Sequence, residues 1–388
     1  MQGGPMSSRR RLSSRARWAV PAVAVVVVAG AIGVPLMSAD ASPNLPAKTA
    51  GQLLADIGGA QARPFSGTVV ETAKLGLPDL PGQDQSSTSP LALLTGSHTV
   101  RVWYGGPQLT RLALVGNLSE SDLVRNGSNL WLWSSKDRTA EHVRLPAQAA
   151  ATDPAKVAQQ QAMEKLTPQQ AATQALAAID PTTAVSVDRT ARVAGRAAYQ
   201  LVLKPKDTRS LVGSVEIAID AKTDVPLRVE VFAKGATSPA FETGFTTVTF
   251  SKQPASVFRF TAPPNTKVTT KDLATPHGRA VAPGNASKAL QGKGSGAAAD
   301  SEPTVIGKGW NSIVEMNGVN LAPATKGASA SSDALLQALT PVSGSYGSGR
   351  VLKTSLVSVL VLGDGRAFVG AVPPSMLERA AATHAAAK

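Results

Sequence analysis

The residue types able to do chemistry are few in this chain, and their spacing keeps them apart. Four histidines occur in 388 residues. His98 and His142 lie in stretches that alternate like strands, His277 lies in a Gly/Ala/Ser-rich stretch and His384 lies near the end. No two of them have the spacing with which a zinc site gathers its ligands. Cysteine is absent, which removes thiolate nucleophiles and disulfides together. His-Glu-x-x-His, Gly-x-Ser-x-Gly and phosphate-loop patterns are missing as well. Glu71, Asp122 and Glu216 fall on predicted strands, where a sheet could draw carboxylates together for acid–base work, but no spacing pairs them. Arg101, Trp103 and Arg111 set cations beside a ring, as a base-stacking platform does, yet a Trp on a half-buried strand more often belongs to a core. The expectation is a protein that binds rather than catalyses, with no cofactor and no metal.

Apolar surface is what the chain has in quantity. Hydrophobic residues make up 43% of it. They alternate through HTVRVWY (98–104) and LTRLALV (109–115). In NLWLWS (129–134), Trp131 and Trp133 share one face while Leu130 and Leu132 share the other, as in a strand covered on both sides. Val69, Val102, Leu112, Leu114, Leu130 and Leu132 are therefore candidate lining residues of an apolar cavity, with Leu53, Ile57 and Leu176 contributed by helices. A bound acyl chain gains about 0.8 kcal/mol per buried methylene, so such a cavity needs no catalytic group to bind tightly.

The elements that must position these residues follow from periodicity and turn chemistry. Residues 49–60 (TAGQLLADIGGA) predict a short amphipathic helix with Leu53, Leu54 and Ile57 on one face and Gly58-Gly59 as its stop. From Phe65 to Phe260, ten or eleven strands with short turns predict a curved antiparallel sheet or barrel, ending in a strand at Val257–Thr261. Asn126-Gly127 predicts a type I′ hairpin turn. One helical insertion interrupts the strands over about 153–180, with Asp153-Pro154 and Thr167-Pro168 each supplying an N-cap followed by proline. Its apolar stripes are modest, which suits helices that bury one side as a lid. The expected domain runs over 51–268, followed by a flexible linker at 269–303. A small αβ unit follows at 304–388, with a hairpin at 350–372 and a terminal helix at 375–386.

Ahead of all this stand a basic arm (1–17) with five arginines and a 20-residue apolar run from Trp18 to Met37. Twenty helical residues cover about 30 Å, the thickness of a hydrocarbon core. Two readings fit the run. It is an uncleaved anchor with the arginines inside, or a signal peptide cut near Ala39-Asp40-Ala41, and residues 38–50 then form a tether. Either way the rest of the chain is expected beyond the plasma membrane, in a single-pass or secreted protein. The net charge of +13 falls to +8 once the arm is set aside. Export turns that charge toward anionic lipid or cell-wall polymer and away from nucleic acid.

A series of short motifs resembles a known family. It runs through Phe65-Ser66-Gly67-Thr68-Val69, Arg144-Leu145-Pro146, Gly195-Arg196-x-x-Tyr199-x-Leu201, Ile219-Asp220-x-x-Thr223-x-x-Pro226-Leu227-Arg228-Val229 and Phe258-Arg259-Phe260-Thr261-x-Pro263-Pro264. In this order, over about residues 50–270, they resemble the LolA-like superfamily, which holds lipoprotein carriers and RseB/MucB-like regulators. The resemblance implies a mainly β fold, a half-open antiparallel β-barrel with a helical lid whose cavity takes lipid or lipoprotein acyl chains. It implies a lid-latching arginine, for which Arg63 and Arg101 are the candidates, and a membrane-protein partner, either a transporter or an anti-sigma factor. The leading expectation is a non-catalytic carrier of acyl chains. The alternative is an RseB-like module that binds an anti-sigma factor and senses envelope stress.

Overall fold

A computed structural model describes residues 43–60, 63–77, 95–116, 119–146, 179–273, 303–319 and 339–385. The apolar run at 18–37, the insertion up to residue 178 with Leu176, and most of the expected linker lie outside these residues. Among the described residues no helix is long and apolar enough to cross a membrane.

The chain is mostly β. Helix α1 (Ala50–Gly59) starts where Thr49 and Gln52 form a reciprocal capping box: Gln52 N–H donates to Thr49 Oγ1 at 3.2 Å and Thr49 N–H donates to the Gln52 side chain at 2.8 Å. Eleven strands follow: β1 (Phe65–Lys74), β2 (Thr95–Gly106), β3 (Leu109–Val115), β4 (Glu120–Asn126), β5 (Asn129–Ser134), β6 (Thr139–Arg144), β7 (Thr183–Val193), β8 (Arg196–Pro205), β9 (Val212–Asp220), β10 (Pro226–Ala233) and β11 (Phe241–Thr249). With β12 (Lys267–Asp272) they form one open sheet in the order β12-β6-β5-β4-β3-β2-β1-β11-β10-β9-β8-β7. Neighbours pair antiparallel except β12, which runs parallel to β6.

Three expectations need correction. Val257–Thr261 is no strand, because Ala255–Phe258 forms a 3-10 turn between Pro254 and Pro263-Pro264. The linker expected from residue 269 starts later, since β12 occupies 267–272 with every side chain exposed. The tether expected over 38–50 is held down from residue 43 onward: Thr190 Oγ1 donates to the Pro43 carbonyl at 2.7 Å and Tyr199 Oη to that of Pro46 at 2.9 Å. The hairpin at Asn126-Gly127 also differs in detail. Asn126 pairs with Asn129, and Gly127 alone of the two predicted turn residues has positive φ, at 62°, so glycine takes the first central position as in a type II′ turn.

A second sheet of six strands holds β13 (Thr304–Ile306), β14 (Ile313–Met316), β15 (Thr340–Gly344), β16 (Gly347–Lys353), β17 (Ser358–Leu362) and β18 (Ala367–Gly370), in the order β13-β14-β18-β17-β16-β15. Helix α2 (Pro374–Ala385) closes it, burying Leu377 and Ala381 against Leu360, Phe368 and Val372. The expected hairpin and terminal helix are thus parts of a larger sheet. The two sheets meet through one shared apolar cluster, in which Leu356 packs with Ala73, Val212, Ala240 and Phe241. The Leu211 N–H donates to Ala371 O at 2.8 Å, the Ser355 N–H to Leu75 O at 2.8 Å and Trp310 Nε1 to Thr183 Oγ1 at 2.8 Å.

Candidate ligand-binding face

Directly opposed residues of neighbouring strands project from the same face, so register assigns every candidate to a side. From β1 to β6 one row reads Gly67, Val102, Leu112, Leu123, Leu132, Glu141. The row beside it reads Val69, Val100, Leu114, Ser121, Ser134. Leu130 lies one step further along, between Arg125 and Val143. Register therefore puts Val69, Val102, Leu112, Leu114, Leu130 and Leu132 on one face, which alternation within each strand left open. Val100 in that face is buried, whereas Val69, Val102, Leu112, Leu114 and Leu130 are half-buried and Leu132 is 39% exposed. An apolar stretch across five strands is left partly open.

Leu53 and Ile57 belong to the other end of the sheet. Leu53, fully buried, packs with Tyr199, Leu201 and Ile219, and Ile57 and Leu54 cover the rim of that cluster. Register connects this end to the open face through the row Leu201, Ile217, Val229, Thr243, Glu71, His98. Glu71 and His98 are the polar members of this row on β1 and β2, directly opposed and each 4% exposed. Burial pushes the Glu71 carboxyl up to about 7.

The opposite face is occupied. Trp131 stacks on His142 with ring centres 4.2 Å apart, and Phe260 lies 5.1 Å from Trp131 and 6.3 Å from Trp133. Phe258 is 1% exposed beneath the same segment. Arg111 rests over the Trp103 ring at 5.5 Å and pairs with Asp122, whose carboxyl burial pushes up while Arg111 pulls it down, with a net rise. These aromatics and cations pack on one another as a half-buried layer. Arg101 also projects from this side, opposite Thr68 and Ala113, and is exposed. It projects away from the apolar face, and the insertion it would latch lies, up to residue 178, outside the described residues. Arg63 is exposed just ahead of β1. The three carboxylates do not converge: Glu71 is on the apolar face, while Asp122 and Glu216 trace by register to Thr68 and Thr72 on the other. Among the described residues no group of His, Asp or Glu could hold a metal ion.

Glu71 and His98 are the residues that sequence reading placed on strands without assigning to the site. The available signal was their offset of two from Val69 and Val100, which puts each on the apolar side of its own strand. Joining the pair needed the β1–β2 register.

No protein-family model and no curated protein matches the chain. Solved structures do. The MucA/MucB complex of Pseudomonas aeruginosa matches at 14% identity and TM-score 0.41, over 86% of this chain and 96% of that one. A LolA-superfamily protein of Nitrosomonas europaea matches at 13% and 0.20, over 55% and 99%. A putative outer membrane lipoprotein-sorting protein domain of Vibrio parahaemolyticus matches at 9% and 0.20, over 52% and 92%. What a protein binds is decided by its site and not by such a likeness.

Proposed function

We propose that the protein is an extracytoplasmic, non-catalytic carrier that binds the acyl chain of a lipid or lipoprotein on the apolar face of β1–β5. One observation supports it above the rest: Val69, Val102, Leu112, Leu114, Leu130 and Leu132 project together and stay partly open, while comparable residues under α1 are sealed. A contiguous apolar face left partly open suits a binding surface. In this reading the sheet is a half-open barrel, the insertion around 153–180 is its lid, and the run at 18–37 tethers or exports it. Native mass spectrometry and solvent extraction of the protein from its own membranes test the proposal. Lipid is expected at about one molecule per chain, and a chain free of lipid that also ignores a fluorescent acyl probe overturns it.

A regulatory module is the second reading, favoured by the six-stranded unit locked to the sheet through Leu356 and the bonds of Ser355 and Leu211. A carrier needs only the first sheet, whereas a module that grips a membrane-protein partner uses a second surface held at a fixed angle. Crosslinking in cells separates the two. Recovery of a transmembrane regulator supports the module, and recovery of lipoproteins alone supports the carrier.

A further inference from the structure

Glu71 combines three features that rarely coincide without a ligand. It is 4% exposed, and burial is the influence that sets its carboxyl among the described residues. Its environment is apolar. Along its own strand the same-face neighbours are Val69 and Ala73, and across β11 it meets Thr243 between Phe241 and Phe245. Across β2 it meets His98, with Val100 beside it. Neither its row nor the flanking rows (Ala73, Phe241, Val231, Val215 and Leu203 on one side; Val69, Val100, Leu114 and Ser121 on the other) contain a lysine or arginine. A buried carboxylate costs several kcal/mol unless a donor or cation satisfies it, and no cation comes from these strands.

We propose that Glu71, opposite His98, is the polar anchor of the apolar face and takes the protonated amine of an amphiphile whose hydrocarbon chain lies over Val69 and Val102. This deepens the acyl-chain reading and rests on it. A carboxylate-headed chain is repelled at the same point, and an uncharged head is treated indifferently. The position of Glu71 midway between the α1-covered cluster and the open face gives the chain one direction to run, toward Leu112 and Leu132. Burial that raises the carboxyl to about 7 adds a consequence: near neutral pH the empty site is partly protonated, and an ammonium head expels that proton.

Calorimetry on the full chain with octylamine, octanol and octanoate at pH 8 tests this. Octylamine is expected to bind at least about tenfold more tightly than octanoate, and Glu71→Gln to lose that preference while octanol binds both proteins alike. Octylamine titrations of the unaltered chain at pH 7, in two buffers of unlike ionisation enthalpy, should show proton release, a readout that does not depend on the variant folding. An unchanged amine preference in a folded Glu71→Gln, or no proton release, overturns the anchor while octanol binding keeps the acyl-chain reading. If none of the three amphiphiles binds, both fall.

Discussion

The two ends of the large sheet are built from the same kind of residue and finished differently. Around β7–β9, Leu53 of α1 sinks to 0% exposure among Tyr199, Leu201 and Ile219, and the preceding residues 43–49 are strapped to the strands by Thr190 and Tyr199. Across β1–β5, valines and leucines of equal hydrophobicity stay half-buried, and Leu132 is 39% exposed. Hydrophobic burial stabilises in proportion to the area removed from water, so the first end contributes more to folding than the second. Charge follows the same division. At the sealed end Asp220 is satisfied by Arg196, Thr223 and the Lys222 N–H; burial alone would push its carboxyl up, but these partners hold it below the usual range. Glu71, at the margin of the open end, is pushed the other way by burial.

Truncation at the sealed end should break the comparison most. Leu53→Ala leaves a cavity under α1 and should cost about 4 kcal/mol in denaturant unfolding. A loss under about 1 kcal/mol would mean that α1 does not seal that end. Next comes the pH response of Glu71. Its folded value near 7 lies above the unfolded one, so the unfolded chain releases its proton first and stability falls as pH rises from about 4.5 through 7. The fall should be about 3 kcal/mol and should vanish from the stability–pH profile of Glu71→Gln.

A smaller effect, about 1 kcal/mol, is expected for Thr49→Ala, which removes one half of the α1 capping box. Proteolysis of residues 43–60 should quicken in parallel, and an unaltered rate would place the helix under tertiary control alone. Smallest on stability is Leu132→Ala, within about 0.5 kcal/mol because the side chain is already partly in water. The same change should weaken binding of an acyl probe about tenfold. Equal losses of stability for Leu132→Ala and Leu53→Ala would erase the distinction between the two ends.

How much of this was legible in the sequence follows from what each element depends on. Strands β3 and β5 were read at the bounds observed, because LTRLALV and NLWLWS carry their own alternation. Helix α1 was legible from Leu53, Leu54 and Ile57 followed by two glycines. Strands β12 and β15 were not: KVTTKD and TPVSG lack an apolar face and become strands through backbone pairing to β6 and β16. Phe258-Arg259-Phe260 misled in the reverse sense, since its alternation comes from two rings carried by a prolyl-flanked turn, Phe260 against Trp131 and Trp133 and Phe258 buried near Gly105. At the site, alternation named the six apolar residues as candidates, but it could not show that they share one face or that Arg101 points away. It also could not bring Glu71 opposite His98, because these facts depend on which strands are neighbours.

The most direct test of the account is to map where a hydrocarbon chain lies. A photoactivatable fatty acyl probe, crosslinked to the full chain and located by peptide mass spectrometry, should mark residues 99–115 and 121–134, with Leu112, Leu114, Leu130 or Leu132 among the labelled positions. Labelling confined to the Trp131, Trp133 and Phe260 layer, or no specific labelling of the sheet, would contradict it.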